Sequence, residues 1–216
     1  MALTQNIAAI RINYSKKELS EAVVLKDPLQ QFSSWLQEAI EAEALEPTAF
    51  VLSTVNSQNR PSARVMLLKD VSDDGLTFFT NYESKKGKSI AANPFVAVTF
   101  FWPELERQVR LEGEVTKADE QFSTDYFHSR PKGSQIGAWA SPQSREISGR
   151  SELEEAGNRY ASEFAELELV PRPPHWGGFK LKPDYIEFWQ GRPDRLHDRI
   201  AFELQDNSWK TKRLAP

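Results

Sequence analysis

Cysteine is absent from all 216 residues, which rules out disulfides, a thiol nucleophile and any cysteine-based zinc or iron–sulfur site. Histidine is nearly as scarce. His128, His175 and His197 are scattered along the chain, so no metal centre is expected. Long apolar runs are missing too: the longest, Phe95 to Trp102, contains a threonine and is far too short to span a bilayer. The opening Met1-Ala2-Leu3-Thr4-Gln5 lacks the basic region of a secretory signal, and the expectation is a cytoplasmic protein with no membrane partner. Positive charge is not in excess either. The 27 Lys and Arg against 31 Asp and Glu leave a formal charge of −4, which argues against nucleic acid, since that partner needs an extended positive field over many phosphates. Local basic clusters in an acidic chain point instead to a small anion, and no glycine-rich phosphate loop is present to hold it.

What remains is the composition of a globular chain, 39% hydrophobic and 27% charged, long enough to bury a real core as a single domain over residues 1–216, with residues 1–25 as a flexible N-terminal arm. Asp27-Pro28 marks a helix start, with Phe32, Trp35, Leu36, Ala39 and Ile40 following at helical spacing. From Phe50 the period changes to two, giving strands over Phe50–Val55, Ala63–Lys69 and Leu76–Thr80. Ser84 caps a short helix that stops at Asn93-Pro94. Strands Phe95–Phe101 and Arg107–Thr116 come next, the latter with Val109, Leu111, Gly113 and Val115 on one face. Helical patterns return over Ala118–Ser129, Pro131–Ala140 and from Ser151, where Ser151 and Glu154 make a capping box. Final strands are expected at Gly178–Leu181, Tyr185–Gln190, Arg195–Leu204 and Trp209–Leu214. Antiparallel strands interrupted by helices give an α+β, mainly β class, a barrel or sandwich and not a doubly wound sheet.

If Arg195 to Leu204 is a strand, alternation puts Arg195, His197 and Arg199 on one face, in a row about 13 Å long at two residues per ~6.7 Å step, the scale of a cofactor ring plus a substrate. The same row reads equally as a basic, solvated sheet face. Arg64 and Lys69 are five apart, an odd spacing that sends them to opposite strand faces unless a bulge intervenes. Lys85 and Lys86 open a helix whose free backbone N–H groups suit a phosphate. Tyr126 and Arg130 are one helical turn apart, so a phenol and a guanidinium can converge on one phosphate, with Ser134 beyond the Pro131 break. Each cluster alone reads as readily as solvated charge, Trp189 as core, and Gln108, Gln143 and Ser144 carry almost no signal.

Taken in order, the segments resemble the pyridoxamine 5'-phosphate oxidase family. The resemblance rests on Arg64-Val-Met-Leu-Leu-Lys69, Glu106-Arg-Gln-Val109, Tyr126-Phe-His-Ser-Arg-Pro131, Ser134-Gln-Ile-Gly-Ala-Trp139, Trp176-Gly-Gly-Phe179, Glu187-Phe-Trp-Gln-Gly191, Arg195-Leu-His-Asp-Arg199 and Arg213-Leu-Ala-Pro216, and runs from about Arg11 to the last residue. It implies an FMN-binding split β-barrel with flanking helices, assembled as a homodimer with FMN between the subunits. It assigns Arg64, Val65, Met66, Leu67, Leu68, Lys69, Phe79, Thr80, Lys85, Lys86, Gln108, Gln143, Ser144, Trp189 and Arg199 to FMN. Lys69, Tyr126, Arg130 and Ser134 are assigned to the substrate phosphate, Arg195 and His197 to the substrate ring with catalytic roles, and Arg11 and Tyr14 to a segment folding over the substrate. Lys85 departs from the family pattern, where arginine is usual, which keeps the charge but loses the forked donor.

The implied activity is oxidation of pyridoxine or pyridoxamine 5'-phosphate to pyridoxal 5'-phosphate, with dioxygen reduced to hydrogen peroxide. Such chemistry needs little acid–base machinery, because the flavin is the electron sink and the protein chiefly orients it. It needs two phosphate clamps, and the chain offers two separable basic sets. A split-barrel flavin reductase should lack the Tyr126, Arg130 and Ser134 set and the Arg195 to Arg199 row. A non-catalytic FMN or pyridoxal-phosphate carrier shares the contacts and is separated from an enzyme only by turnover.

Overall fold

The computed structural model describes residues 13–216, so the expectation for Arg11 lies outside the described residues. They fold into helices α1 (Pro28–Glu41), α2 (Lys85–Ala92), α3 (Glu120–Ser129), α4 (Lys132–Ala140) and α5 (Arg150–Glu163). The strands are β1 (Ala49–Val55), β2 (Pro61–Leu67), β3 (Asp70–Ser72), β4 (Gly75–Asn81), β5 (Phe95–Trp102), β6 (Arg107–Lys117), β7 (Trp176–Gln190), β8 (Asp198–Gln205) and β9 (Ser208–Arg213). Hydrogen bonding orders them β2-β1-β5-β6-β7-β4-β3, with β8 paired to β7 and β9 to β8. The chain divides into two compact units, and β5, β6 and β7 each run from one into the other.

The first unit comprises residues 48–98 and 112–184. Its β1 and β2 pair antiparallel with Val51 opposite Val65, and β4 pairs with the first half of β7 from Leu76↔Leu181 to Asn81↔Trp176. The cap of α2 is as expected: the Ser84 hydroxyl accepts from the Gly87 N–H at 3.2 Å. Phe78 packs against Phe50 at 5.7 Å, and a second cluster gathers Phe127, Phe164, Val170 and Trp176 under the helices. The alternation expected for β6 holds through this unit, with Gly113 and Val115 buried. A Cβ on Gly113 would lie 2.2 Å from the Lys182 carbonyl oxygen, so only glycine admits this approach of two backbones.

The second unit holds residues 13–47, 99–111 and 185–216. Asp27 caps α1, its Oδ1 accepting from the N–H groups of Leu29 and Gln30, and Pro28 takes the first turn where no N–H is needed. Phe32, Trp35 and Ala39 bury one stripe, Phe32 against Phe100 at 4.9 Å and Trp35 against Phe188 at 5.2 Å. Each such large apolar side chain contributes about 1.5–3 kcal/mol on burial. Ile40, expected on the same stripe, is 47% exposed. Arg107 is buried yet satisfied, donating to Gln190 Oε1 and Glu38 Oε2 at 3.0 Å each and lying over the Trp35 ring.

Three expectations are corrected, and one short strand is added. Gly178–Leu181 and Tyr185–Gln190 are one strand, β7, because Pro183 falls between the stretch paired with β4 and the stretch paired with β8, where its missing N–H costs neither ladder a bond. The strand expected from Arg195 starts only at Asp198: Pro193–Arg195 is a 3₁₀ turn in which Asp194 and Arg195 take left-handed φ of 55° and 62°. Alternation therefore does not align Arg195 and His197 with Arg199. Helix α5 begins at Arg150, and the carboxylate that folds back is Glu152, accepting from the Ser148 N–H and hydroxyl, in place of the Ser151–Glu154 box. The short strand β3 was not anticipated, since three residues carry no readable period.

Candidate functional site

In the first unit, β2, β4, α2 and α3 bring one set of expected residues around a cavity of about 320 Å³. Its lining includes Met66, Leu67, Lys69, Phe79, Thr80, Lys86, Tyr126, Arg130 and Gln143, all expected at the site from sequence, and Trp176, which has no site role in the sequence reading. No carboxylate lines it, and among the described residues Lys69, Lys86 and Arg130 form no ion pair. Three cations around one acid-free hollow favour an anion there by charge.

Lys86 is buried, and its ammonium donates to Gln143 Oε1 at 2.9 Å, Thr80 Oγ1 at 3.0 Å and Ser84 Oγ at 3.4 Å. All three acceptors are neutral. Burial, and secondarily the positive charge of Arg64, push the Lys86 ammonium down to about 8. Arg64 itself is held by Leu52 O, Thr54 Oγ1 and Ser62 Oγ, with desolvation lowering its pKa.

Arg130 caps the C-terminus of α3, where the chain turns at Pro131 into α4. Its guanidinium lies 4.6 Å from the Trp176 ring centre, Nη2 donates to Ser134 O at 2.8 Å, and Nη1 is buried with no partner. Tyr126 stacks on Phe79 at 3.9 Å and is nearly parallel to Trp176, and burial raises its phenol's pKa. Thus the one-turn spacing does bring Tyr126 and Arg130 together. Ser134 lines an adjoining hollow of about 260 Å³ that shares Arg130, Gln143 and Trp176 with the first. Lys85 and Ser144 lie on a further one of about 330 Å³ that also includes Gln143.

Three members of the Arg64–Lys69 segment stand elsewhere: Arg64 and the 67%-exposed Val65 line no cavity described above, and Leu68 is in the core. Trp176 carries the family resemblance in Trp176-Gly-Gly-Phe179 but no expected site role, because a tryptophan beside a strand reads as core; its aromatic neighbours and Arg130 reveal another part.

In the second unit, Trp189 near the end of β7 is half-buried, not core, and meets His197 at 4.7 Å between ring centres and Tyr14 at 5.7 Å edge-on. The Arg192 N–H donates to His197 Nδ1 at 3.1 Å, which leaves the proton on Nε2, and burial with the nearby Arg195 charge lowers the imidazole's pKa. Arg195 is exposed on its turn, with no hydrogen bond or ion pair among the described residues. Arg199 sits opposite Trp189 across the β7–β8 ladder and is clamped by Glu187, Nε to Oε1 and Nη2 to Oε2 both at 2.9 Å. Glu187 is buried; its desolvation is outweighed by Arg199, Tyr185 and Arg110, which hold its carboxyl below the usual range. Gln108 is half-buried on β6, on the face opposite Val109.

The strand order places the chain in a known class. A pyridoxamine 5'-phosphate oxidase-related, FMN binding protein from Nostoc punctiforme superposes with a TM-score of 0.69 at 16% identity, covering 86% of this chain and 97% of that one, so the fold is that split β-barrel type. PhzG from Burkholderia lata, solved in complex with tetrahydrophenazine-1-carboxylic acid, reaches a TM-score of 0.85 at 29% identity over 90% of this chain and 95% of its own. A family profile described as pyridoxamine 5'-phosphate oxidase matches residues 36–162, and one described as the pyridoxine 5'-phosphate oxidase C-terminal dimerisation region matches 176–216. Proteins named pyridoxine/pyridoxamine 5'-phosphate oxidase from a Cyanothece strain and from Actinobacillus succinogenes are 51% and 55% identical, over 99% and 96% of this chain and 100% and 98% of theirs. The chain belongs to the pyridoxamine 5'-phosphate oxidase family.

Proposed function

We propose that this protein oxidises pyridoxine or pyridoxamine 5'-phosphate to pyridoxal 5'-phosphate, using FMN and dioxygen. The carrying observation is the acid-free cavity around which Lys69, Lys86 and Arg130 form no ion pair among the described residues, one buried guanidinium nitrogen of Arg130 having no partner among them either. Those residues fit phosphate esters: Lys86 is held by neutral oxygens that leave its charge uncompensated, and Arg130 is a planar donor braced on Trp176.

FMN, when bound, would supply the two-electron sink for oxidation at C4', with dioxygen as the final acceptor giving hydrogen peroxide. The chain's own residues bind and orient. Arg64, Val65, Met66, Leu67, Leu68, Lys69, Phe79, Thr80, Lys85, Lys86, Gln108, Gln143, Ser144, Trp189 and Arg199 are proposed to hold FMN, and Lys69, Tyr126, Arg130 and Ser134 the substrate phosphate. Arg195, with no partner among the described residues, orients the reacting hydroxyl or amine, and His197 presents Nε2–H beside it. Tyr14 is proposed to contact the substrate.

The working unit is a homodimer with FMN between subunits. The match of 176–216 to a dimerisation region supports this, as do Val51, Val65, Leu67 and Phe95, which stand exposed on β1, β2 and β5. We further propose that residues 1–216 act as one domain, since three strands continue from one unit to the other. A cytoplasmic location is proposed from the cysteine-free composition. Among the described residues no helix is long and apolar enough to cross a membrane. The test is to saturate the protein with FMN, remove oxygen and add pyridoxine 5'-phosphate. Bleaching of the blue flavin band is expected; a persistent yellow complex would leave a flavin-binding protein with another substrate or none.

A further inference from the structure

Tyr14 does not reach Trp189 and His197 by its own packing alone. The two backbone N–H groups that follow it, those of Ser15 and Lys16, both donate to a single carboxylate oxygen, Glu106 Oε2, at 2.8 and 3.0 Å. Glu106 is 6% exposed and its backbone is in the left-handed region, φ 55° and ψ 40°. That conformation also aims its carbonyl at the other partner: Glu106 O accepts from the Gly191 N–H at 2.8 Å and from Gln190 Nε2 at 3.2 Å. One residue therefore ties the segment carrying Tyr14 to the strand end carrying Trp189. Gly191 completes the seat, because a Cβ there would lie 2.7 Å from Tyr14 Cβ and Cγ.

A second anchor lies three residues beyond Lys16, at Leu19. Asp198 Oδ2 accepts from the Leu19 N–H at 3.1 Å, while Arg213 donates to Asp198 Oδ1 at 2.8 Å and to the Leu19 carbonyl at 3.1 Å. Leu19 is buried, so this point is fixed by packing as well. The first anchor immediately follows Tyr14 and the second restrains the segment beyond it, and in this arrangement the Tyr14 ring faces Trp189 at 5.7 Å and His197 at 5.8 Å.

We infer that Glu106 and Asp198 are positioning residues for the oxidase reaction, holding residues 14–19 by their backbone so that Tyr14 stays against Trp189 and His197. This rests on the proposed function, in which Tyr14, Trp189 and His197 face substrate and cofactor. Two charge-assisted hydrogen bonds to one buried carboxylate are strong relative to neutral ones. Losing them leaves the docked segment only fractionally populated, and an apparent affinity falls by that fraction. Glu106→Ala should raise KM for pyridoxine 5'-phosphate about tenfold, with kcat at saturating substrate and FMN affinity within about twofold of wild type. Glu106→Gln keeps one carbonyl oxygen for the same donors and should recover most of the loss. Gly191→Ala removes neither carboxylate, although its methyl would also press on Glu106 Cβ at 3.1 Å, and should reproduce the KM increase chiefly by displacing Tyr14.

The experiment measures KM and kcat for wild type and these three variants, together with hydrogen exchange at the Ser15 and Lys16 amides without substrate. Faster exchange at both amides in Glu106→Ala, with the KM rise, supports the inference. Unchanged exchange, or faster exchange with unchanged KM, overturns it. A uniform loss of FMN binding and thermal stability in Glu106→Ala, unrescued by Glu106→Gln, also overturns it, showing a merely structural residue. Failure of the wild type to bleach FMN would instead overturn the proposed function, while the exchange measurement would still report on the anchor.

Discussion

Lys86 makes the anion site sensitive to pH in a range where simple lysines do not titrate. Its ammonium is brought from the ordinary 10.5 down to about 8 by burial and by Arg64, so near pH 8 half the unliganded molecules have lost this charge. A phosphate ester needs the charged form. The apparent dissociation constant then scales as 1 + 10^(pH − 8), which gives about a tenfold loss of FMN affinity between pH 7 and pH 9 and about thirtyfold by pH 9.5. The stability of the unliganded protein moves the other way. Between about pH 8 and 10.5 the unfolded chain binds more protons at this lysine than the folded one, so the Lys86 contribution to stability rises with pH through that window. Titrating FMN by quenching of its fluorescence at fixed ionic strength, from pH 7 to 9.5, measures the first effect; urea midpoints of the apoprotein measure the second. Lys86→Arg does not titrate in this range and should bind with a flat profile. A wild-type affinity constant to within twofold from pH 7 to 9, or a Lys86→Arg slope equal to the wild type's, refutes the reasoning.

Arg195→Ala should lower turnover with pyridoxine 5'-phosphate at least tenfold, with FMN retained; steady-state kinetics that stay within twofold of wild type would remove Arg195 from the reaction. Arg130→Lys keeps the charge but loses both the flat face over Trp176 and the fork whose Nη1 has no internal partner, so KM should rise about tenfold, equivalent to about 1.4 kcal/mol, with kcat little changed. Gly113→Ala forces a methyl into the Lys182 carbonyl and should cost about 1–3 kcal/mol in urea unfolding, while leaving the FMN affinity of the folded fraction intact.

Parts of this fold are written in local chemistry. Asp27-Pro28 and Ser84 start their helices as expected, because a cap needs only the side chain and the next three N–H groups. The two-residue period of β6 survives because one face of the strand meets a core. Tyr126 and Arg130 meet because both sit at one end of one helix. The row of Arg195, His197 and Arg199 fails for the opposite reason: alternation holds only inside a ladder, and Pro193, with left-handed Asp194 and Arg195, ends the regular chain before the ladder starts. The Arg199 clamp by Glu187 was also hidden, since partners twelve residues apart become neighbours only once β7 and β8 pair in their observed register.

By itself, then, the sequence determined the class of chemistry: no thiol, local cations in an acidic chain and an ordered set of motifs that names a family. Tertiary structure decided which of those cations lack a counter-ion, that Trp176 braces Arg130, and that Glu106 holds the segment bearing Tyr14. The physical reason is range. Caps and periodicity act within a few residues, whereas desolvation and the pairing of charges depend on groups that only the folded chain brings within a few ångströms of each other.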